Sequence, residues 1–100
     1  MITLINVFKV EPLNQARLVD LIARATDEFV CRAPGFIAST LHRSLDGARV
    51  TMYAQWSSVE AYDAMRRDPG PLPLFQEALS IAAFDPGLYE TVRTFQAASA

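Results

Sequence analysis

A glycine-containing turn in the middle of the sequence constrains the fold more than any other feature. Asp46-Gly47 lies between two segments of strand character, residues 36–44 and 49–56. Glycine adopts the positive φ that a tight chain reversal requires, so this pattern is typical of a β-hairpin. The sequence therefore predicts two antiparallel strands joined at this turn.

One strand and one helix are predicted before the hairpin. Residues 2–10 are rich in β-branched and aromatic side chains, and Pro12 closes this strand. Across residues 14 to about 32, apolar side chains recur at steps of three and four, which predicts an amphipathic helix. Pro34-Gly35 ends that helix.

A second helix is predicted directly after the hairpin. Ser57 and Glu60 have the spacing of a capping box, in which the hydroxyl accepts a hydrogen bond from a free helix amide and the carboxylate reaches back. The helix then runs to about Arg67. Three prolines and a glycine in residues 69–73 forbid regular structure after it.

The remaining residues predict one further helix and one further strand. Residues 74–83 have the composition of a short helix, and the Asp-Pro-Gly triplet at 85–87 is typical of a turn. Strand-forming residues return at 88–96. The small and polar residues 97–100 are expected to fray.

The resulting order, β-α-β-β-α-β, predicts an α+β fold. It is typical of the ferredoxin-like arrangement, in which a four-stranded antiparallel sheet carries helices on one face. The chain has 100 residues, so residues 1–100 are expected to form a single domain. Alternation along the third strand directs the even-numbered residues of 50–56 toward the helices.

The sheet face away from the helices predicts a homodimer. It is mixed in character, and its apolar side chains are Ile37, Leu41, Tyr53 and Phe95. A face of this kind is usually covered rather than left in water. Because packing two sheets around a twofold axis is the simplest cover, the expected assembly is a dimeric α/β barrel.

Composition and charge argue against several classes of protein. Nine basic and eleven acidic residues give a net charge of −2 and provide no basic surface for a nucleic acid. Cys31 is the single cysteine, so no internal disulfide and no cysteine-based metal site is expected. The sequence shows no signal-peptide pattern and no apolar run long enough to span a membrane. We expect a cytoplasmic protein that binds neither nucleic acid nor membrane.

Three polar aromatic side chains stand out in apolar surroundings. They are His42, Trp56 and Tyr62. No hydrolase triad order, phosphate-binding loop or zinc motif is present. We interpret the three residues as the lining of one cavity, although each type also serves as an ordinary packing residue.

The geometry of the hairpin turn decides whether His42 reaches that cavity. A two-residue turn pairs His42 with Thr51 and puts it on the sheet face away from the helices. A three-residue loop, with its glycine as a left-handed bulge, pairs His42 with Val50 on the helix side. We prefer the second alternative, which also directs Phe36 and Ala38 toward the core.

Several motifs together resemble the antibiotic biosynthesis monooxygenase superfamily. They are Pro34-Gly35-Phe36, Leu41-His42-Arg43, Asp46-Gly47, Tyr53-Ala54-Gln55-Trp56 and Glu60-Ala61-Tyr62. The tyrosine six residues after the tryptophan is similar to the cofactor-independent, quinone-forming members, which oxidise anthrones and related phenols in aromatic polyketide pathways. The resemblance implies a ferredoxin-like homodimer with a pocket between sheet and helices, and no cofactor.

The resemblance also implies which residues do the chemistry. His42, Trp56 and Tyr62 match pocket positions of the quinone-forming enzymes, and Asn6 matches an active-site asparagine of the haem-degrading branch. We expect His42 to shuttle a proton. We expect Trp56 and Asn6 to donate hydrogen bonds to the developing oxyanion or peroxide, and Tyr62 to position or protonate the peroxide oxygen.

Some positions depart from the family pattern. Met52 stands where the quinone-forming enzymes carry an asparagine, and Gln76 falls where an arginine is expected. Met65 and Phe75 stand near the second tryptophan and the haem-ligating histidine of the haem-degrading branch, so a bound haem is not expected. The residues expected to contact the substrate are Phe36, Met52, Met65, Phe75 and Gln76.

The function implied by the resemblance is oxidation of a polycyclic phenol or anthrone to a quinone with molecular oxygen. The expected partners are a small aromatic substrate, oxygen and a second copy of the chain, with no metal. Two alternatives stay open: a non-catalytic ligand-binding or accessory protein of the same fold, and a non-redox polyketide cyclase. The departures at Met52 and Gln76 favour the first alternative.

Overall fold

The architecture is α+β and ferredoxin-like, as predicted. A computed structural model describes residues 1–98. The strands are β1 (Ile2–Val10), β2 (Phe36–Arg43), β3 (Arg49–Trp56) and β4 (Ala82–Tyr89), and the helices are α1 (Gln15–Glu28), α2 (Val59–Arg66) and α3 (Leu72–Ile81). The sheet is antiparallel with strand order β2-β3-β1-β4. Of the tail expected to fray, residues 97 and 98 have no regular structure, and residues 99 and 100 lie outside the described residues.

The hydrophobic core lies between the helices and one side of the sheet, which we call the helix-facing side; the other side is the open face. From α1 the buried residues are Leu18, Leu21, Ile22 and Ala25, at the predicted steps of three and four. From β3 they are Val50, Met52, Ala54 and Trp56. The predicted alternation of β3 is therefore confirmed, and it directs half of that strand into the core.

The hairpin register differs from the preferred prediction. His42 pairs with Thr51 rather than with Val50, so the histidine lies exposed on the open face. Leu41 pairs with Met52 and faces the helices, although we expected it on the open face. The observed register packs a leucine against the core where the predicted register would place an imidazole. The observed one is favoured because a polar ring in the core needs hydrogen-bond partners.

Side-chain hydrogen bonds in the turn hold this register. The Ser44 amide donates to the Arg49 carbonyl at 2.9 Å, and the Ser44 hydroxyl donates to Asp46 Oδ1 at 2.7 Å. The Ala48 amide donates to the same carboxylate oxygen at 2.9 Å. The two bonds to the carboxylate, that from the Ser44 hydroxyl most, lower the pKa of Asp46. Gly47 has φ +80°, the left-handed conformation expected of the turn glycine.

A β-bulge in β2 separates two residues that we expected on the same side. The register of β2 against β3 shifts between Phe36 and Ala38, so Ile37 is an additional residue in the strand. Phe36 faces the helices as predicted, whereas Ala38 is exposed on the open face. Residues at an odd spacing lie on opposite faces of a regular strand. Because of the bulge, Phe36 and Leu41 contact the same core although their spacing is odd.

The end of α1 and the start of α2 lie close to their predicted positions. α1 ends at Glu28, and the last residues predicted for it form a single 3-10 turn, Val30–Arg32. The cap of α2 is Ser58 rather than Ser57. Ser58 Oγ accepts a hydrogen bond from the Ala61 amide at 3.1 Å, which gives one free amide of the first turn its partner.

The third helix begins inside the proline-rich segment that was expected to be irregular. It spans Leu72–Ile81 rather than residues 74–83. Proline is tolerated in the first turn of a helix because the amide it lacks would have no intrahelical partner there. Pro73 occupies such a position, and Pro71, just before the helix, is fully buried.

The last strand begins earlier than predicted. β4 spans Ala82–Tyr89 and contains the triplet 85–87 that we expected to form a turn. The described residues after it, 90–98, have no regular structure, so the prediction of a strand at 88–96 is wrong for most of its length. β4 is an edge strand, and an edge strand tolerates Pro86 because one row of its amides has no partner strand.

Replacement of the α2 cap tests the corrected helix start. We expect Ser58→Ala to lower the free energy of unfolding by about 1 kcal/mol, because the Ala61 amide loses its acceptor. Ser57→Ala is the matched control and should leave stability nearly unchanged. Urea unfolding followed by Trp56 fluorescence, at one protein concentration, measures both. Equal losses in the two variants would contradict the assignment of the cap.

Candidate active site

A cavity of about 230 Å³ lies between the helix-facing side of the sheet and the helices. All four strands and all three helices contribute to it, together with the loop between α2 and α3. Its buried apolar lining consists of Leu4, Phe8, Ile22, Val30, Met52, Ala54, Pro71 and Ala78. A concave site with mainly apolar walls and few polar groups is typical of a small-molecule pocket.

Trp56 and Tyr62 form an aromatic wall of this cavity together with Phe36. Trp56 is 1% exposed, and its ring centroid lies 5.3 Å from that of Phe36 and 5.8 Å from that of Tyr62. Both contacts are edge-to-face, a favourable geometry for aromatic rings. Trp56 is the last residue of β3, and Tyr62 lies in α2. The packing fixes the orientation of the indole ring and its single N–H donor.

Asn6 brings an unpaired polar atom to the cavity. It lies within β1 directly opposite Met52 of β3, and both residues line the cavity. Asn6 Oδ1 is buried and has no hydrogen-bond partner among the described residues. Buried polar atoms are nearly always paired, so an exception beside a cavity marks a place where a ligand or a water supplies the partner.

The Tyr62 hydroxyl stays protonated over a wide pH range. Burial raises the pKa of Tyr62 above its ordinary value, and the positive charge of Arg66 opposes part of this shift while the negative charge of Asp63 adds to it. At neutral pH the phenol is therefore uncharged. It can donate a hydrogen bond or a proton inside the cavity.

Most of the expected site residues meet at this cavity. Those that line it are Asn6, Phe36, Met52, Trp56, Tyr62, Met65 and Phe75. They come from β1, β2, β3, α2 and α3 and converge because alternation in the strands and the helical repeat direct them to one layer. Their chemical roles stay predictions.

Two of the expected residues lie outside the cavity. His42 is exposed on the open face, because the hairpin register directs Leu41 and Ser39 of β2 toward the helices instead. Gln76 is exposed on α3, whereas Phe75 and Ala78 of the same helix line the cavity. His42 and Gln76 therefore do not line this cavity.

Four polar lining residues were missed by the sequence analysis. They are Thr26, Ser39, Arg66 and Asp68. Arg66 follows Tyr62 by four residues on α2, so helical spacing alone could have placed it at the same cavity. The preferred register, which differs from the observed one, directed Ser39 to the open face. Asp68 lies in the loop that follows α2, where no periodicity indicates a direction.

The described lining provides hydrogen-bond donors in an apolar enclosure. Its ionisable side chains are Tyr62, Arg66 and Asp68. Across residues 1–98, no group of three or more histidine, cysteine, aspartate or glutamate side chains could hold a metal ion. Nor does that part of the chain contain a helix with the length and apolar character to cross a membrane. Hydrogen-bond donors between apolar walls can stabilise a charge that develops on a bound apolar molecule.

Comparison with known proteins gives a match over most of the chain. Residues 1–78 match the family described as antibiotic biosynthesis monooxygenase. Among individual proteins, the chain is similar to the tetracenomycin-F1 monooxygenase of Streptomyces glaucescens. The two are 38% identical over 97 residues, which cover 97% of this chain and 87% of the relative.

Two solved structures of oxygenases resemble the fold closely. SnoaB, a cofactor-independent oxygenase from Streptomyces nogalater, superposes with a TM-score of 0.82 at 28% identity and covers 93% of this chain and 94% of its own. The monooxygenase from the gene ActVA-Orf6 of Streptomyces coelicolor, solved with the ligand nanaomycin D, has a TM-score of 0.84 at 27% identity. That match covers 97% of this chain and 92% of the other.

The unpaired amide oxygen predicts an unusual effect on stability. Asn6→Leu removes a buried acceptor that lacks a partner, so we expect the free energy of unfolding to rise by about 1 kcal/mol. Thr26→Val is the matched control on the same lining, because the Thr26 hydroxyl already donates to the Ile22 carbonyl at 2.8 Å. It should bring no gain. Urea unfolding in the absence of ligand measures both, and a destabilised Asn6→Leu variant would show that the amide has a structural role.

Proposed function

Because the chain belongs to the antibiotic biosynthesis monooxygenase family, we propose that it is a cofactor-independent monooxygenase that oxidises a fused-ring phenol or anthrone to a quinone in aromatic polyketide biosynthesis. The observation that carries the proposal is the cavity, in which Asn6, Trp56 and Tyr62 present polar groups between apolar walls. We also propose a cytoplasmic location, since a reducing compartment suits the exposed free thiol of Cys31.

The proposed reaction needs only the substrate and oxygen. An anthrone loses a proton and becomes an electron-rich anion, which passes one electron to O₂. The carbon radical and superoxide then combine, and protonation of the product gives a hydroperoxide. Loss of the remaining C–H proton with cleavage of the O–O bond forms the second carbonyl and water. One anthrone and one O₂ thus give one quinone and one water.

The cavity supports the steps in which charge develops on oxygen. Apolar walls exclude bulk water, which strengthens the interaction of a fixed donor with an anion. Trp56 Nε1–H and the Asn6 carboxamide donate to the oxyanion or to the peroxide. Tyr62 is uncharged at neutral pH and protonates the peroxide oxygen.

The first proton leaves the substrate without His42 in this scheme. The histidine lies on the open face, with the sheet between it and the cavity. No histidine or cysteine is among the described lining residues, so no side chain there has an ordinary pKa near 7. Water at the opening of the cavity takes the proton, and the acidity of the substrate itself sets how readily this occurs.

We further propose that two copies of the chain associate through the open face. Ile5 and Val7 of β1 lie beside Tyr53 of β3 on this face and are partly accessible to solvent. The segment after β4 carries Val92 and Phe95, which are 90% and 75% exposed. Large exposed apolar side chains indicate an interface, and a second open face is the simplest complement to this one.

An oxidation assay tests the proposed activity. Purified protein, treated with a chelator and free of flavin, should accelerate both oxygen consumption and quinone formation from anthrone above the spontaneous rate. Trp56→Phe removes one donor from the developing oxyanion, and we expect kcat to fall about tenfold or more with a smaller change in KM. An oxygen electrode and quinone absorbance give the two rates.

His42→Gln is the matched control and should keep the wild-type rate, because His42 does not reach the cavity. A large loss of rate in His42→Gln would contradict the scheme. Binding of anthrone without any acceleration would indicate a ligand-binding protein. A ring-closed product formed from an open polyketide chain without oxygen uptake would indicate a cyclase.

The proposed dimer has its own test. Analytical ultracentrifugation of the wild type should give twice the chain mass of 11.1 kDa. Tyr53→Glu introduces a charge at the centre of the open face and should give the mass of one chain. Leu13→Glu, at a residue 93% exposed and outside the sheet, is the control and should stay dimeric. A monomeric wild type would rule out this assembly.

A further inference from the structure

Arg66 is a cation on the cavity lining that no described carboxylate neutralises. It lies in the last turn of α2. Among residues 1–98, no aspartate or glutamate oxygen lies within 4.0 Å of its guanidinium nitrogens. By contrast, Arg17 pairs with Glu77 and Arg24 pairs with Glu28 on the surface of the protein.

The guanidinium of Arg66 has a defined position beside the aromatic wall. Its central carbon lies 5.8 Å from the centroid of the Tyr62 ring, within the range of a cation–π contact. Residues four apart share one face of a helix, so Arg66 and Tyr62 reach the cavity together. A cation held in this way, without an acidic partner, is available to an anionic ligand.

The volume of the cavity is small for a ligand pocket. Its volume of about 230 Å³ is below the roughly 300–1,000 Å³ that small-molecule pockets usually have. A four-ring substrate with ring substituents is larger than this volume, so part of it would extend beyond the apolar interior. Five lining residues are exposed: Arg66, Asp68, Leu72, Leu79 and Phe84. Arg66 therefore lies where the cavity meets solvent, within reach of the outer edge of such a substrate.

We propose that Arg66 selects substrates whose outer edge carries an anionic oxygen group, a carboxylate or an ionised phenol. The inference rests on the proposed function, because it requires a fused-ring aromatic molecule in the cavity. Apolar walls cannot stabilise a negative charge, and Arg66 is the single cation on the described lining. The planar guanidinium can bind a carboxylate through two parallel hydrogen bonds.

Asp68 is the single acidic side chain on the described lining, and it modifies this selection. Its Oδ1 accepts a hydrogen bond from the Gly70 amide at 2.9 Å, which holds the carboxylate in the turn after α2. Its negative charge opposes an anion at the opening. Asp68→Asn is therefore expected to bind an anionic ligand more tightly than the wild type does.

Binding of two matched probes tests the proposal. Anthraquinone-2-carboxylate and anthraquinone-2-carboxamide share one ring system and differ in charge. Trp56 is the single tryptophan and lines the cavity, so quenching of its fluorescence reports binding of either probe. At pH 7.5 and low salt, Arg66→Gln should bind the carboxylate about fivefold to tenfold more weakly and the carboxamide unchanged.

Two further variants serve as controls. Arg67→Gln removes the neighbouring charge, which is exposed and absent from the described lining, and should leave both affinities unchanged. Arg66→Lys should keep part of the preference for the carboxylate. Each of three results would overturn the inference. The first is that Arg66→Gln weakens binding of both probes equally, and the second is that Arg67→Gln weakens binding of the carboxylate as much as Arg66→Gln does. The third is that Asp68→Asn binds the carboxylate more weakly than the wild type does.

The binding test is independent of turnover. If anthrone is not oxidised but the preference for the carboxylate is present and depends on Arg66, the proposed function fails and the selection by Arg66 stands. If anthrone is oxidised while the wild type binds the two probes with equal affinity, the proposed function stands and the inference about Arg66 is wrong.

Discussion

The hydrogen bonds of the β2–β3 turn determine which side chains of the central hairpin face the cavity. Ser44 and Asp46 hold a register in which each residue of β2 except Ile37 has one partner on β3. A shift by one residue would turn every side chain of a strand to the other face of the sheet. Leu41 would then leave the core and His42 would enter it. The composition of the cavity is therefore a consequence of a small polar network at the end of the hairpin, far from the aromatic wall.

Local patterns were sufficient to predict the parts of the fold whose periodicity is uninterrupted. β1 was predicted with its observed limits, and the alternation of β3 identified Trp56 as a buried residue. The spacing of Tyr62 from that tryptophan places the tyrosine in the helix that follows β3. In these elements the hydrophobic pattern and the backbone preference agree, so sequence reasoning needs no knowledge of tertiary contacts.

The errors occurred where tertiary context overrides a local signal. A single additional residue, Ile37, reverses the alternation of β2, and nothing in the composition of that strand marks it. The triplet 85–87 is typical of a turn, yet it lies within β4 because an edge strand has no second neighbour to require the proline amide. Arg66 was missed for a different reason. It is polar and exposed, although its spacing of four residues from Tyr62 places it on the same face of α2.

The pairing of Asn6 with Met52 explains how the cavity contains a carboxamide although position 52 holds a methionine instead of an asparagine. The resemblance to quinone-forming enzymes puts an asparagine at position 52, where this chain has an apolar and flexible methionine. Asn6 is its direct partner across the β1–β3 ladder, so the two side chains leave the sheet on the same side, about 5 Å apart at Cβ. A carboxamide therefore enters the same level of the cavity from the neighbouring strand. Its oxygen has no hydrogen-bond partner among the described residues, so a ligand that donates a hydrogen bond at this level of the cavity supplies one.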